Sequence, residues 1–481
     1  MNRFQYKAYS DHPWLVETGK TLFEDYLSSR NKKPPARNLK KFQRAFITAI
    51  TGLYLGDAFD PHGTSINILL NRNRYFGKSR YSPVLTSQLL SVFKWLIAEG
   101  FLKQTDKHQQ VDDKWIPAAY RLTSKFIHYT PPIGPDGSVD KDFDRAIKKS
   151  IKRNKDAPFL EIRDDEGIAK QRLPASSEKD LTIQRLKAYD RRLSDYEFTV
   201  MGNVIPPYAF SLTRIYKHNY KAGGRYYSAF QGKSSQFRLN IQIDGEYVAE
   251  IDYKALHPML LYQLVGVAAP DDPYDTEGEF PRSAAKKAFQ ILINRSKPGS
   301  ATNSLRYWLN RHRAKGKKDP DDWKGFNIRV TNSWCERLER RLREQLSPIT
   351  HYFNQGVGMQ LQHYDSMIVS NVIDYFQVKA NSIVIPIHDS FLVKQADIKN
   401  LLEAIRYAEV TAAKEQGIQY REPILQSEVI NETDIYGQQL QGEEVINKGR
   451  KEEILKEDLL QEMNEDSDEQ YLIDHQQEER D

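Results

Sequence analysis

The chain has 481 residues, 39% hydrophobic and 28% charged, enough for two or three domains with a sizeable core. Its longest nearly apolar stretch, residues 259–269, falls well short of the ~20 residues a membrane span needs. The single Cys335 excludes an internal disulfide framework and a multi-cysteine zinc site. The opening MNRFQYKAYSDHPW lacks the apolar core of a secretion signal, so a cytoplasmic location, with no membrane partner, is expected. The net charge of +5 conceals an asymmetry: residues 451–481 carry a net −10 and the rest a net +15. A basic body with an acidic tail points to a polyanionic partner, nucleic acid first. The tail reads as a solvated segment, or more sharply as a mimic of nucleic acid.

In chain order, Leu39, Phe42, Phe46, Ala49, Ile50 and Leu53 recur at helical spacing between Pro34-Pro35 and Gly56. Thr86 is placed to cap a second helix carrying Leu89, Val92, Phe93, Leu96 and Ile97, which Gly100 stops. Two short strands follow, at residues 101–103 and 119–122, with a polar turn expected over 105–114. A helix and then a two-stranded ribbon resembles a winged helix, and Arg72, Arg74, Lys78 and Arg80 lie just upstream, where phosphate contacts would be useful. The plainer reading is a helical domain with a solvated basic loop. Pro131, Pro132 and the Gly-Pro-Asp-Gly turn at 134–137 mark a boundary, and residues 181–193 read as a polar amphipathic helix.

Chemistry concentrates in the second half. Residues 247–253, Tyr-Val-Ala-Glu-Ile-Asp-Tyr, form a β-rich run that ends in a carboxylate, Asp252, ahead of a helical pattern through Leu256, Leu260, Leu261 and Leu264. Two apolar runs flank His388-Asp389-Ser390, which reads as a hairpin with its acid at the tip. If the two strands pair, Asp252 and Asp389 come close, and like charges at that range need cations between them. A pair of Mg²⁺ ions would serve phosphoryl transfer there, with Mn²⁺ as a substitute. Between these runs, Arg282 and Lys286 fall one turn apart on one face of a helix, two cations suited to a triphosphate, with Asn294 within about 120° of Arg282 and near the base or sugar, while Lys287 points elsewhere. Residues 295–329 hold ten Lys/Arg against three Asp, with Tyr307, Trp308 and Trp323 interleaved. That composition suits a strand-holding surface.

The order Asp252-Tyr253, Arg282-x3-Lys286-x7-Asn294, His388-Asp389 resembles motifs A, B and C of family A DNA polymerases and single-subunit RNA polymerases, over residues 205–430. Gly223-Gly224-Arg225-Tyr226-Tyr227 is similar to the arginine-bearing segment before motif A. Gln362-x2-Asp365 is similar to the glutamine segment before motif C, whose Gln pairs with the motif C histidine. The resemblance implies that Asp252, Asp389 and the Tyr253 carbonyl bind the metals. It also implies that Arg282 and Lys286 hold the nucleotide phosphates, with Lys286 protonating the leaving pyrophosphate, and that Arg225, Gln362 and His388 meet primer and template. The chain departs from the pattern too: Asn294 stands where motif B has Tyr, and His257 stands where DNA polymerases carry a sugar-screening Glu. Motif C ends His-Asp-Ser as in RNA polymerases, whereas motif A reads Asp-Tyr as in DNA enzymes, so sugar choice stays open.

The expected protein is α+β: a right-hand polymerase palm with antiparallel sheet and helical fingers, plus an N-terminal winged-helix-like domain. Its expected boundaries are a helical, winged-helix-like domain at 1–130, a thumb-like connection at 131–204, palm and fingers at 205–440 and the acidic tail at 441–481. The expected activity is template-directed nucleotidyl transfer from nucleoside triphosphates onto the 3′ hydroxyl of a DNA or RNA primer-template, in a bacterial or phage-infected cell. The alternatives are a degenerate palm that binds nucleic acid through the winged helix, template-independent tailing, and a two-metal nuclease.

Overall fold

The computed structural model describes residues 8–447 apart from 32, 57–64, 69, 71–86, 108, 112–113, 117, 136–137, 156, 166, 168, 171, 315–322, 324–329, 418–422, 424 and 430–442. β1 (Ala8–Ser10) leads into α1 (Pro13–Ser28) and α2 (Ala36–Leu55), the latter ending at Gly56 as its spacing predicts. Leu22 and Tyr26 of α1 pack on Phe46, Ile50 and Leu53 of α2, all fully buried. Next come β2 (Ile66–Asn67), α3 (Ser87–Ala98), β3 (Leu102–Asp106), β4 (Gln109–Val111), β5 (Lys114–Ile116) and β6 (Ala119–Leu122). Helix α3 stops where expected: Gly100 takes φ +74 and the Phe101 N–H reaches back to the Leu96 carbonyl at 2.8 Å, a glycine helix stop.

Strands β2, β6 and β3 form an antiparallel sheet in that order. The turn expected over 105–114 is not a plain turn. Strand β3 continues to Asp106, and β4 and β5 pair as a second small hairpin, Gln109 opposite Ile116, because Trp115 and Ile116 bring strand-forming side chains into the polar stretch. Thr86 and the basic run Arg72, Arg74, Lys78 and Arg80 lie outside the described residues.

α4 (Lys141–Ser150), capped by Asp140, runs into β7 (Ile151–Arg153), which pairs with β1. After β8 (Leu160–Arg163) comes α5 (Ser177–Leu193), the amphipathic helix expected over 181–193, capped by Ser176. The chain continues through β9 (Phe198–Val200), β10 (Asn203–Ile205), β11 (Thr213–Lys217), β12 (Gly223–Tyr227), α6 (Ser235–Leu239), β13 (Ile241–Ile243) and β14 (Glu246–Tyr253). Helices α7 (Leu256–Leu264), α8 (Arg282–Asn294), α9 (Thr302–Ala314), α10 (Asn332–Gln345) and α11 (Gly358–Tyr375) follow. Then come β15 (Ile385–Ile387), β16 (Ser390–Lys394), α12 (Ile398–Gln416), β17 (Leu425–Val429) and β18 (Glu443–Asn447).

The protein is a mixed α/β chain with mainly antiparallel sheets, in keeping with the α+β expectation. One apolar core gathers residues 8–157, and a larger one gathers residues 186–425. The larger core is built around β14, whose Val248, Ala249 and Ile251 are fully buried. β14 pairs with β16 along one edge and with β17 along the other, while β8, β11 and β12 form a separate sheet across which α11 lies.

Arg214 of β11 ties these layers together. Its guanidinium, 1% exposed, donates to the Gly224 carbonyl at 2.8 Å, Ser366 of α11 at 3.0 Å and Thr182 of α5 at 3.1 Å, and pairs with Glu178. Gly224 at φ +90 is required here, since a Cβ would stand 2.6 Å from the Tyr216 ring.

Candidate active site

The register of β14 on β16 sets Asp252 opposite Ser390, and the Tyr253 N–H donates to the Asp389 carbonyl at 3.3 Å. The two aspartates therefore share one end of the sheet, Asp252 on β14 and Asp389 in the turn that leads into β16, and both are half-buried. The turn carrying Asp389 is the two-residue link between paired Ile387 and Ser390, a length that demands positive φ; His388 supplies it at φ 54. The His388 ring rests edge-on against Tyr227 of β12 at 5.6 Å. Beyond Asp252 the chain turns sharply at Ala255, φ 58, and α7 begins at once, with half-buried His257 in its first turn.

Beneath the aspartates lies a buried clamp. Glu250 points to the same face of β14 as Asp252 and accepts from Arg238 at 3.0 and 2.7 Å and from the Ser390 hydroxyl at 2.7 Å. Arg238 thus neutralises what would otherwise be a third carboxylate beside the pair, and Ser390 ties β16 to β14 where both acids emerge.

Arg282 and Lys286 are both exposed, one turn apart on α8. Arg282 pairs with Asp272 at 2.5 and 3.2 Å and lies over the Tyr274 ring at 5.4 Å. Burial alone would raise Asp272, but hydrogen bonds from Arg282 and the Tyr274 N–H, with the Arg282 charge, hold it below the usual carboxylate range. Burial drives the Tyr274 phenol well up; Arg282 opposes this, and the Asp389 and Asp272 charges add to it. The phenol therefore sits within the fields of Arg282 and Asp389 together. Asn294 ends α8, exposed, with its amide donating to the Gln290 carbonyl at 3.0 Å. Its side chain lies directly on Gly358, where a Cβ would stand 1.7 Å from Oδ1. Gly358→Ala is expected to swing Asn294 away while costing no more than about 1 kcal/mol, because the displaced end is solvent-facing; urea unfolding checks this.

A solved structure similar to this chain is the POL domain of Pol1 from M. smegmatis in complex with DNA primer-template and dNTP, at 14% identity and a TM-score of 0.26. The match covers 51% of this chain and 50% of that one, so the chain spans about half the length of the structure it matches. No family model and no curated protein matches.

Sequence reasoning named Arg225, Gln362 and His388 as nucleic-acid contacts. Gln362 is half-buried on α11, three residues before Asp365. Arg225 is only 9% exposed and is engaged by Asp365, with Nε at 2.9 Å and Nη2 at 2.5 Å. The interleaved aromatics of 295–329 divide. Trp323 is buried, donating to Ser283 at 2.7 Å, and half-buried Trp308 lies under the Lys287 ammonium at 4.4 Å. Both serve packing, and Tyr307 is 50% exposed. The sequence reading missed Glu250, Arg238, Asp272 and Tyr274. Glu250 carried a signal, a charge inside an apolar strand, which calls for a buried partner.

Two carboxylates and a backbone carbonyl are hard oxygen donors, which Mg²⁺ takes alongside waters and substrate phosphates. The donor set of Asp252, Asp389 and Tyr253 fits such an ion. Among the described residues no group of three or more His, Cys, Asp or Glu side chains gathers as a metal cluster, and no helix is long and apolar enough to cross a membrane.

Proposed function

We propose that the chain is a nucleotidyltransferase of the polymerase kind, adding nucleotides from triphosphates to the 3′ hydroxyl of a primer on a DNA or RNA template. The observation that carries this reading is the register of β14 on β16, which sets Asp252 and Asp389 side by side at one end of the sheet. Divalent ions held by Asp252, Asp389 and the Tyr253 carbonyl would supply Lewis-acid stabilisation of the reacting oxygens. Arg282 and Lys286 hold the triphosphate from α8, and Lys286, the exposed one of α8's two adjacent lysines, gives a proton to the departing pyrophosphate. Asp272 restrains Arg282, so its guanidinium meets the phosphates already oriented. His257 and Asn294 flank the nucleotide, and Gln362 and His388 attend the primer-template. We assign the palm and fingers to the larger core, which begins at Leu186 rather than at 205, and the winged-helix-like domain to the smaller one, which runs on to Ala157 rather than ending at 130.

A labelled primer-template, incubated with dNTPs or NTPs and Mg²⁺ or Mn²⁺, is expected to lengthen, and the same reaction without template reads tailing. No extension under any combination sinks the proposal. Shortening without triphosphates would assign the same acids to a nuclease.

One observation favours a second reading, a nucleic-acid binder working through its N-terminal part: α3 is followed in the chain by β3 and β6, which pair with each other, a helix and ribbon in keeping with a winged helix. Tight DNA binding by a protein that never extends a primer would select it.

A further inference from the structure

We propose that Asp365 is a positioning residue that fixes Arg225 and His257 against each other and withholds the Arg225 charge from nucleic acid. The catalytic half of this inference rests on the polymerase reading; the binding half stands without it.

Three contacts converge on one oxygen. Asp365 Oδ2 accepts from Arg225 Nε at 2.9 Å and Nη2 at 2.5 Å, and lies 3.1 Å from His257 Nε2. His257 Nε2 is also 3.3 Å from Arg225 Nη2. Asp365 is 1% exposed, and its Oδ1 has no hydrogen-bond partner among the described residues. The ring of His257 is therefore held in either tautomer: a protonated Nε2 donates to the carboxylate, and a bare Nε2 accepts from the guanidinium. His257 is five residues beyond Asp252, in the first turn of the helix that follows it, so fixing this ring fixes the start of α7.

Asp365 is not needed to seat α11. Ser366 receives Arg214 at 3.0 Å, and Ser370 shares a 2.7 Å hydrogen bond with Tyr226, so two neighbours on the same helix already dock it onto β11 and β12. What Asp365 adds is charge. A buried guanidinium facing its own counterion offers little to a passing phosphate.

The test is a salt series of anisotropy binding on a fluorescent DNA duplex, run beside single-turnover extension. Arg225→Gln is expected to leave the salt slope of binding unchanged while extension slows about tenfold to a hundredfold, as misplaced groups do. Asp365→Asn, which removes the counterion and nearly keeps the shape, is expected to steepen the slope by about 0.9, one added phosphate contact, with tighter binding at low salt. Asp365→Glu should return the slope to the wild-type value, and so should Arg225→Gln placed on Asp365→Asn. A slope that drops by about one in Arg225→Gln, or binding that weakens at an unchanged slope in Asp365→Asn, overturns the proposal. The single Arg225→Gln arm decides it even if Asp365→Asn fails to fold. If the wild type extends nothing, the polymerase reading has failed, and the slopes still judge the hold of Asp365 on Arg225.

Discussion

Asp389→Ala is expected to lower nucleotide incorporation by about a thousandfold or more, the loss of several kcal/mol of stabilisation at the reacting phosphate. The position is half-buried on a turn, so folding is spared and the loss is chemical. Asp252→Ala should match it. The double variant should be barely worse than either single one, because two acids that hold the same ions act as a unit. Single-turnover extension with saturating triphosphate measures the effect, and anisotropy on the same primer-template should show binding retained. An Asp389→Ala protein that extends at the wild-type rate would end the catalytic proposal, and equal loss of binding and extension would make the residue structural.

Glu250→Ala acts on the same acids from below and is expected to cost stability. It strands Arg238, whose side chain is 15% exposed, and removes the acceptor for Ser390. Breaking a buried pair from one side costs about 3–5 kcal/mol, whereas Ser390→Ala, which deletes one neutral donor, should cost about 1 kcal/mol. Urea unfolding separates the two. The clamp also predicts a kinetic consequence: Ser390→Ala, though well folded, should slow extension, since β16 is then less tightly held where Asp389 leaves it. Equal stability losses for the two variants would mean that Ser390, not the ion pair, carries the contact.

The local patterns that could be read from the sequence were those set by periodicity and punctuation. Helix α2 ends at Gly56, α3 stops at Gly100, and the strand before Asp252 and the hairpin around Asp389 lie where apolar runs place them. Their pairing was legible only as a condition, because register is a tertiary fact that no single strand encodes. The β4–β5 hairpin was missed because five of the ten residues from Thr105 to Lys114 are charged, and charge outweighed the strand signal of Trp115 and Ile116. Asp272 and Tyr274 were invisible for another reason. They lie in an irregular stretch with no period to read, and only folding brings them against Arg282. The pairing of Arg225 with Asp365, 140 positions apart, is of the same kind: both residues stood out in the sequence, but as separate signs.

One feature of the sheet reaches beyond the chemistry. Because β14 is bonded along both of its sides, the strand bearing Asp252 has no loose margin along which to slide. The strand that bears the carboxylate is accordingly held from both sides. α8 is held in another way: its buried Ala285, Phe289 and Leu292 fix it to the same core, while Arg282 and Lys286 are left at the surface.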